Sequence, residues 1–244
     1  MHFYDTSAYN IGRPQTSARC ASPNPGQLRC CFATPGFAQD NLAKFPADSF
    51  ALSVDFKLVT PYISKDDVDP TNTDPTIVRE WVYRIPMVRP TTWKGRLRFS
   101  AAQTDAGSST IAMHLFGPRK DAENPEEGRL HFFPTFFESN AEGNEVINPH
   151  NRTTRRGTVP VTLKCVKEGT VGKFCLLYLG PTPTEFDPQT IQGAVVSWVR
   201  EMIELHGIGG KTLKGFGLGS ISEYSIITEK DKTRVKLGAE GNPQ

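Results

Sequence analysis

An amphipathic segment near the C-terminus, lying between stretches with the pattern of strands, limits the possible folds more than any other part of the sequence. From Asp187 to His206, apolar residues recur at steps of three and four, which predicts a helix with one face in a core. Gly207 then predicts a left-handed helix end. Before this helix, VPVTLKCV and KFCLLYLG predict a hairpin that turns at residues 167–172. After it, FGLGSISEYSIITE predicts a strand.

The preceding part of the chain shows a similar succession of patterns. Residues 50–58 alternate apolar with smaller or polar side chains, as a strand with one buried face does. After Pro90, TTWKGRLRFSAAQ predicts a helix capped by a threonine, and GRLHFFPTFF predicts a strand with Pro134 at an edge or bulge. Strand, helix, strand, strand, helix, strand is the βαββαβ order of a ferredoxin-like fold in the α+β class.

We therefore predict one ferredoxin-like domain over residues 49–244, with insertions at about 60–90 and 117–160. Residues 1–48 are rich in Pro, Gly, Ser and Asn without a sustained period, which predicts an irregular N-terminal arm. The chain has no apolar stretch of membrane-spanning length, and its first residues lack the order of a secretion signal, so we expect a cytoplasmic protein without a membrane partner. Because the net charge is only +2, a polyanion must be bound by a local patch.

The glycine-rich segment HGIGGKTLKGFGLG, residues 206–219, is the first candidate for such a patch. It is not a phosphate-binding P-loop, because Leu205 stands where that motif needs its first glycine. Glycines let the main chain approach a sugar-phosphate backbone, and successive N–H groups bind anions. Lys211 and Lys214 add charge, while Phe216 either stacks a base or fills the core. The alternative is a turn that packs a helix closely on a sheet.

Two further basic groups precede this segment. Lys94 and Arg98 share a helix face at i and i+4, with Arg96 between them, and a phosphate between the two would offset their repulsion. Arg152, Arg155 and Arg156 lie with Asn148 and Asn151 in a predicted loop, where guanidinium groups suit phosphates and base edges. A solvated basic surface is the alternative for both groups.

Three segments, taken together and in order, resemble a known family. RIPMVRPTTWKGRLR, residues 84–98, matches a family segment at Pro86, Lys94, Gly95 and Arg98. EVINPHNRTTRRG, residues 145–157, is similar to the family's central arginine segment, and residues 206–219 are similar to its glycine-rich loop. The chain thus resembles the RAMP superfamily of CRISPR-associated proteins, which are ferredoxin-like subunits that bind CRISPR RNA. With the charges above, the resemblance implies RNA contacts at Lys94, Arg96, Arg98, Arg152, Arg155, Arg156, Gly207, Gly209, Gly210, Lys211, Lys214, Gly215 and Phe216.

An acidic segment, ISKDDVDPTNTDP, lies where the backbone subunits of type III CRISPR complexes carry an aspartate that cleaves target RNA. The resemblance makes one of Asp66, Asp67, Asp69 and Asp74 a candidate catalytic residue of a metal-dependent endoribonuclease. Such an aspartate binds Mg²⁺ or orients the attacking 2′-hydroxyl. The segment departs from the family pattern, because Thr73 precedes Asp74 and Pro75 where the family has an aspartate before Asn-Pro. A solvated acidic loop without activity is the alternative, and we expect no tightly bound cofactor.

The leading hypothesis is a CRISPR RNA-binding subunit of a type III complex, with CRISPR RNA, target RNA and other subunits as partners. Alternatives within the family are a non-catalytic capping or scaffold subunit and a precursor CRISPR RNA endoribonuclease, for which His114 is the histidine near the first helix. Outside it are a protein-binding scaffold and a single-strand RNA module with aromatic pairs on its central strands. We interpret Phe132, Phe133, Phe136 and Phe137 as core residues rather than such pairs.

Overall fold

The computed structural model describes residues 39–64, 77–104, 109–118, 127–149, 153, 156–157 and 159–236. Within these ranges the chain forms four α-helices and nine strands. The helices are α1 (Gln39–Leu42), α2 (Pro90–Ala102), α3 (Ser109–Phe116) and α4 (Pro188–Glu201). The strands are β1 (Phe50–Leu58), β2 (Met87–Val88), β3 (Leu130–Phe132), β4 (Thr135–Phe136), β5 (Glu142–Ile147), β6 (Val161–Val166), β7 (Val171–Tyr178), β8 (Gly219–Thr228) and β9 (Lys232–Lys236).

The main sheet has five strands in the order β3-β7-β1-β8-β9, and every neighbouring pair is antiparallel. Without the edge strand β9, the order is that of a split βαββαβ unit in which β1, α2, β3, β7, α4 and β8 follow one another along the chain. The predicted α+β class is therefore confirmed. Strand β9 and helix α3 were not predicted, the helix because its apolar run IAMHLF shows no polar face.

Helices α2 and α4 pack on one face of this sheet and form the main core. Trp93 and Leu97 of α2 and Val195 and Trp198 of α4 are buried there with the inward-facing residues of β1. Ser100 Oγ donates to the Trp198 carbonyl at 3.0 Å, which joins the two helices. A smaller apolar cluster covers part of the opposite face and contains Leu42, Ala51, Leu177 and Ile227.

The predicted hairpin of β6 and β7 is wrong, although both strands exist. Strand β6 pairs with β5 in a separate two-stranded sheet, whereas β7 lies between β1 and β3 in the main sheet. The physical reason is burial: residues 174–178 of β7 are all buried, which requires a central strand with both faces covered. Strand β6 is buried only over its second half.

The beginning of α2 also differs from the prediction. The helix starts at Pro90, and the residue before it, Arg89, occupies the capping position, but its side chain does not cap the helix. Thr91 and Thr92 lie inside the first turn, because proline fits the first helical position and has no N–H to satisfy. Helix α4 begins at Pro188, one residue after the predicted start, and Asp187 caps it with a carboxylate that accepts from the Thr190 N–H at 2.8 Å. It continues as a π-helical turn over Met202–His206.

Candidate nucleic-acid interface

The glycine-rich segment forms a loop, here called the glycine loop (residues 206–219), between the π-helical turn and β8. Main-chain hydrogen bonds hold its stem. The Gly210 N–H donates to the Ile63 carbonyl at 2.6 Å, the Gly217 N–H donates to the Pro61 carbonyl at 2.9 Å, and the Ile208 N–H donates to the Gly217 carbonyl at 2.8 Å. The loop is thus fixed against the segment that follows β1.

The inner glycines of the loop are required for packing. Gly207, Gly209 and Gly217 all have a positive φ, between 69° and 78°. A Cβ on Gly209 would lie 2.3 Å from the Ile63 carbonyl oxygen, and one on Gly217 would lie 2.0 Å from the Ile208 oxygen. Gly207 ends the helix with positive φ as predicted, but its ψ of 165° is outside the left-handed helical region. At these positions the packing explanation accounts for glycine without a ligand.

The outer part of the loop, residues 210–215, faces solvent and carries the charges. Lys211 and Lys214 are exposed at either end of a 3₁₀ turn over Thr212–Lys214. Lys211 has a φ of 57° and Gly215 a φ of 83°, and a Cβ on Gly215 would meet no other atom. This part of the loop therefore presents two ammonium groups on a backbone that leaves room for a ligand.

Phe216 lies between the two parts of the loop. It is half-buried against a small cluster of Ile63, Leu163 and Cys165. Because Leu163 and Cys165 belong to β6, this contact packs the β5–β6 hairpin against the glycine loop. The ring thus fills a core position. Part of it remains exposed, so base stacking by Phe216 stays a prediction.

The basic residues of α2 fall on two different sides of the helix. Arg96 donates from Nε to the Gly207 carbonyl at 2.9 Å and from Nη2 to the His206 carbonyl at 2.7 Å. Its guanidinium carbon lies 4.8 Å from the centre of the Phe99 ring, and burial lowers the pKa of Arg96. Arg96 therefore ties α2 to the beginning of the glycine loop.

Arg98 and Lys94 lie on the other side of α2. Arg98 Nη2 donates to the Gly117 carbonyl, and its guanidinium carbon is 5.7 Å from the centre of the Phe116 ring. Lys94 is half-buried. Burial of His131 on β3 is the main cause of the lowered pKa of that histidine, and the charge of Lys94 lowers it further. Arg98 is already partly engaged within the protein, so a phosphate shared with Lys94 would compete with the Gly117 carbonyl or bind its remaining N–H groups.

A cavity of about 830 Å³ lies beside α3, and its wall includes the histidine considered for precursor processing. His114 Nε2 is 2.9 Å from the Tyr178 hydroxyl, which is in turn 3.2 Å from Thr182 Oγ1. His131 and Arg129 contribute further polar groups to the same wall. His114 is thus half-buried and is oriented by a tyrosine.

The arginine cluster is described only in part, since Arg152, Arg155 and Asn151 lie outside the described residues. Arg156 is exposed. A Cβ on its neighbour Gly157 would be 2.9 Å from the Asn148 side-chain nitrogen, so the two ends of the β5–β6 connection meet there. Arg156 follows β5 in the connection of the same hairpin that packs on the glycine loop.

All four candidate aspartates, Asp66, Asp67, Asp69 and Asp74, also lie outside the described residues, whereas the residues on both sides of their segment are described. Ser64 Oγ accepts from the Val78 N–H at 2.7 Å, which brings the two ends together across fourteen positions. Ile63 at the first end accepts from Gly210 of the glycine loop. The acidic segment therefore starts beside the glycine loop, and Val78, which follows the segment, lies beside Ser64.

Two features of the site were missed in the sequence. Pro61 and Ile63 receive the glycine loop through their carbonyl groups, for which a sequence carries no side-chain signal. Leu213 is the fully exposed apex of the outer loop, and its position between two lysines in KTLK was a signal that could have been used.

Among the described residues, no group of three His, Cys, Asp or Glu side chains could hold a metal ion. None of the helices in the described ranges could cross a bilayer.

The main sheet does not support the single-strand RNA module. On the face of β1 and β7 away from the helices, Ser53 pairs with Cys175 and Asp55 pairs with Lys173. Lys173 Nζ and Asp55 Oδ1 are 2.8 Å apart. No described position on that face of these two central strands carries an aromatic residue. Of the four phenylalanines predicted for the core, Phe137 is buried in the main core and Phe132 is half-buried against it, whereas Phe133 packs against the smaller cluster and Phe136 is half-buried.

Comparison with known proteins agrees with this architecture. A family model described as the RAMP superfamily matches residues 55–220, which include the end of the first strand, both core helices and the glycine loop. No curated protein matches the sequence. One similar solved structure is a chain in the cryo-EM structure of a type III-B Cmr-beta complex bound to cognate target RNA. The two are 14% identical with a TM-score of 0.58, and the similarity covers 74% of this chain and 61% of the length of that one.

Proposed function

The chain belongs to the RAMP superfamily, and on that premise we propose that it is a guide-RNA-binding subunit of a type III CRISPR effector complex. The observation that carries the proposal is the outer glycine loop, which presents Lys211 and Lys214 on a backbone fixed against residues 61–63. Exposed ammonium groups bind the phosphates of a nucleic-acid backbone. Sequence choice then comes from base pairing between guide and target, as in other RNA-guided systems.

The partners follow from the same proposal. The similar solved structure belongs to a complex bound to target RNA, which supports CRISPR RNA, target RNA and neighbouring subunits as partners of this chain. Arg156 lies in the connection of the β5–β6 hairpin, which packs on the glycine loop. Helix α2 contacts the same loop through Arg96. We expect these groups to extend the RNA contact beyond the loop, with Arg96 acting mainly through the loop that it holds.

The binding proposal is tested by the salt dependence of RNA affinity. Lys211→Ala and Lys214→Ala should each weaken binding of CRISPR RNA. Each should also make the fall of log affinity with log salt less steep, by about 0.7. Lys230→Ala, at an exposed lysine in the turn between β8 and β9, is the matched control and should leave the slope unchanged. Purification of the intact complex without RNA would refute the guide-binding role.

Cleavage of target RNA is a second part of the proposal. The acidic segment begins at Ile63, which accepts a hydrogen bond from the glycine loop, and this supports an aspartate of the segment as the group that acts on RNA bound there. Carboxylate oxygens are ligands that Mg²⁺ prefers, and the ion would supply charge stabilisation for attack by the 2′-hydroxyl.

The test replaces Asp66, Asp67, Asp69 and Asp74 singly by alanine in an assembled complex supplied with Mg²⁺. One of the four variants should lose cleavage while retaining both RNAs. If all four cut target RNA at the wild-type rate, the chain is a non-catalytic capping or scaffold subunit of the same kind of complex. That result would leave the RNA-binding proposal standing.

A further inference from the structure

Leu213 stands at the apex of the outer glycine loop with its side chain completely exposed, at 103% of the reference area. A single exposed leucine is common on protein surfaces. Here, however, the side chain projects from the part of the loop that carries Lys211 and Lys214, and both of those residues are exposed as well. An apolar group in the middle of a cationic surface calls for a ligand that is both charged and apolar.

The backbone beneath Leu213 is fixed. Lys211 adopts φ 57° and ψ 26°, a left-handed conformation that residues with a Cβ rarely adopt. The Lys214 N–H donates to the Lys211 carbonyl at 2.8 Å, and the Gly215 N–H donates to the Thr212 carbonyl at 2.9 Å. The stem below is held on Ile63 and Pro61. Leu213 is therefore presented by an ordered turn, at little further cost in conformational freedom when a ligand binds.

Single-stranded RNA has the required combination of groups. Its phosphates would bind Lys211 and Lys214. Because Leu213 lies between these two lysines, its side chain would then face bases rather than phosphates. Leucine is one of the side chains that nucleic-acid-binding proteins insert between neighbouring bases. We infer that Leu213 is an apolar wedge that enters between two bases of the bound RNA and unstacks them, while the two lysines hold the flanking phosphates. This inference rests on the proposed function.

The experiment measures base stacking separately from affinity. Short single-stranded RNAs with one 2-aminopurine at successive positions are mixed with the full-length protein, and anisotropy and 2-aminopurine fluorescence are recorded together. Stacking quenches this fluorophore, so wild-type protein should raise its fluorescence at the wedge position. Leu213→Ala should lose most of that rise while affinity falls only about fivefold, the effect of one lost apolar contact. Leu213→Met should retain the rise.

Leu205→Ala is the matched control, because Leu205 is an exposed leucine on the neighbouring π-helical turn, and it should behave as wild type. A Leu213→Ala protein that binds RNA and raises the fluorescence as wild type does would overturn the wedge and leave the RNA-binding function intact. The same result combined with weaker assembly onto a partner subunit would assign Leu213 to a protein contact, which also overturns it. Wild-type protein that binds none of the RNAs overturns both proposals.

Discussion

At the scale of single residues, Arg96 shows how a basic side chain near a binding surface can serve the fold. Its position in a cluster with Lys94 and Arg98 predicted an RNA contact, yet its guanidinium donates to the carbonyl groups of His206 and Gly207. Those carbonyls belong to the end of a π-helical turn, where the helix itself provides no partners. Arg96 thus positions the glycine loop, whatever RNA contact its remaining donors make.

Arg96→Gln should therefore lower the free energy of unfolding by about 2 kcal/mol, because two hydrogen bonds from a charged, half-buried donor are lost. Urea denaturation of the full chain measures this change. Arg200→Gln is the control, since Arg200 pairs with Glu204 on an exposed helix face at 2.9 Å and should cost about 0.5 kcal/mol or less. Equal stability of wild type and Arg96→Gln would show that these bonds are not needed to hold the loop.

Cys175 gives a second prediction at this scale. Burial raises the pKa of its thiol to about 11, an effect only partly offset by a hydrogen bond with Ser53. Because the thiolate is the reactive form, Cys175 should resist alkylation by iodoacetamide in native protein below this pH and react once urea unfolds the chain. Mass spectrometry of the alkylated peptides reads out each cysteine. Rapid native labelling of Cys175 at pH 8 would contradict its burial.

At the scale of elements, patterning in the sequence was sufficient for the core strands and helices but insufficient for their pairing. The period of α4 and the alternation of β1 each follow from one buried face, so they are visible locally. The choice between β5 and β7 as the partner of β6 depends on contacts distant in sequence. Strand β7 joins the main sheet because its buried residues need covering on both faces. A short connection between β6 and β7 was therefore a misleading sign of a hairpin.

The glycines fall into two classes: some have a positive φ and no room for a Cβ, and others have room for one. Gly209→Ala should lower the free energy of unfolding by about 3 kcal/mol, since its φ is 78° and a Cβ would clash with the Ile63 carbonyl. Gly193 lies inside α4, where an added Cβ would have no other atom within 4 Å. Gly193→Ala should therefore raise stability by about 0.5–1 kcal/mol. Urea denaturation of both variants tests the pair.

If Gly209→Ala unfolds at the same urea concentration as wild type, the close contact with Ile63 is not essential to the loop. RNA binding by this variant should then also be normal. A destabilised variant whose RNA affinity is unchanged under native conditions would instead separate the inner glycines from the binding surface. Both outcomes are distinguished by the same two measurements on one protein preparation.

At the scale of the whole molecule, the sequence indicated which segments form the site but not how they meet. The glycine loop and the basic residues of α2 were recognisable by composition and order. Their attachment through the carbonyl groups of residues 61–63 was not, because main-chain acceptors are the same in every residue. The two flanks of the acidic segment are joined by the contact between Ser64 and Val78, which are residues of ordinary type.

This contact predicts that the acidic segment can be shortened. Replacing residues 66–75 by a short glycine-serine linker should leave the urea midpoint and the RNA affinity close to wild type, because Ser64 and Val78 are already joined at 2.7 Å. Cleavage of target RNA, if present in the assembled complex, should be lost. A linker variant that no longer folds would show that the segment contributes to the core.

The division of the glycine loop into an inner and an outer part has a consequence for the divergence of related chains. Substitutions at Gly209 or Gly217 damage the fold, so selection acts on them in every descendant whatever RNA it carries. Substitutions between Lys211 and Lys214 leave the stem intact and alter only what the apex touches. If the apex binds RNA as proposed, related chains can therefore change their RNA affinity in small inherited steps without passing through unstable intermediates.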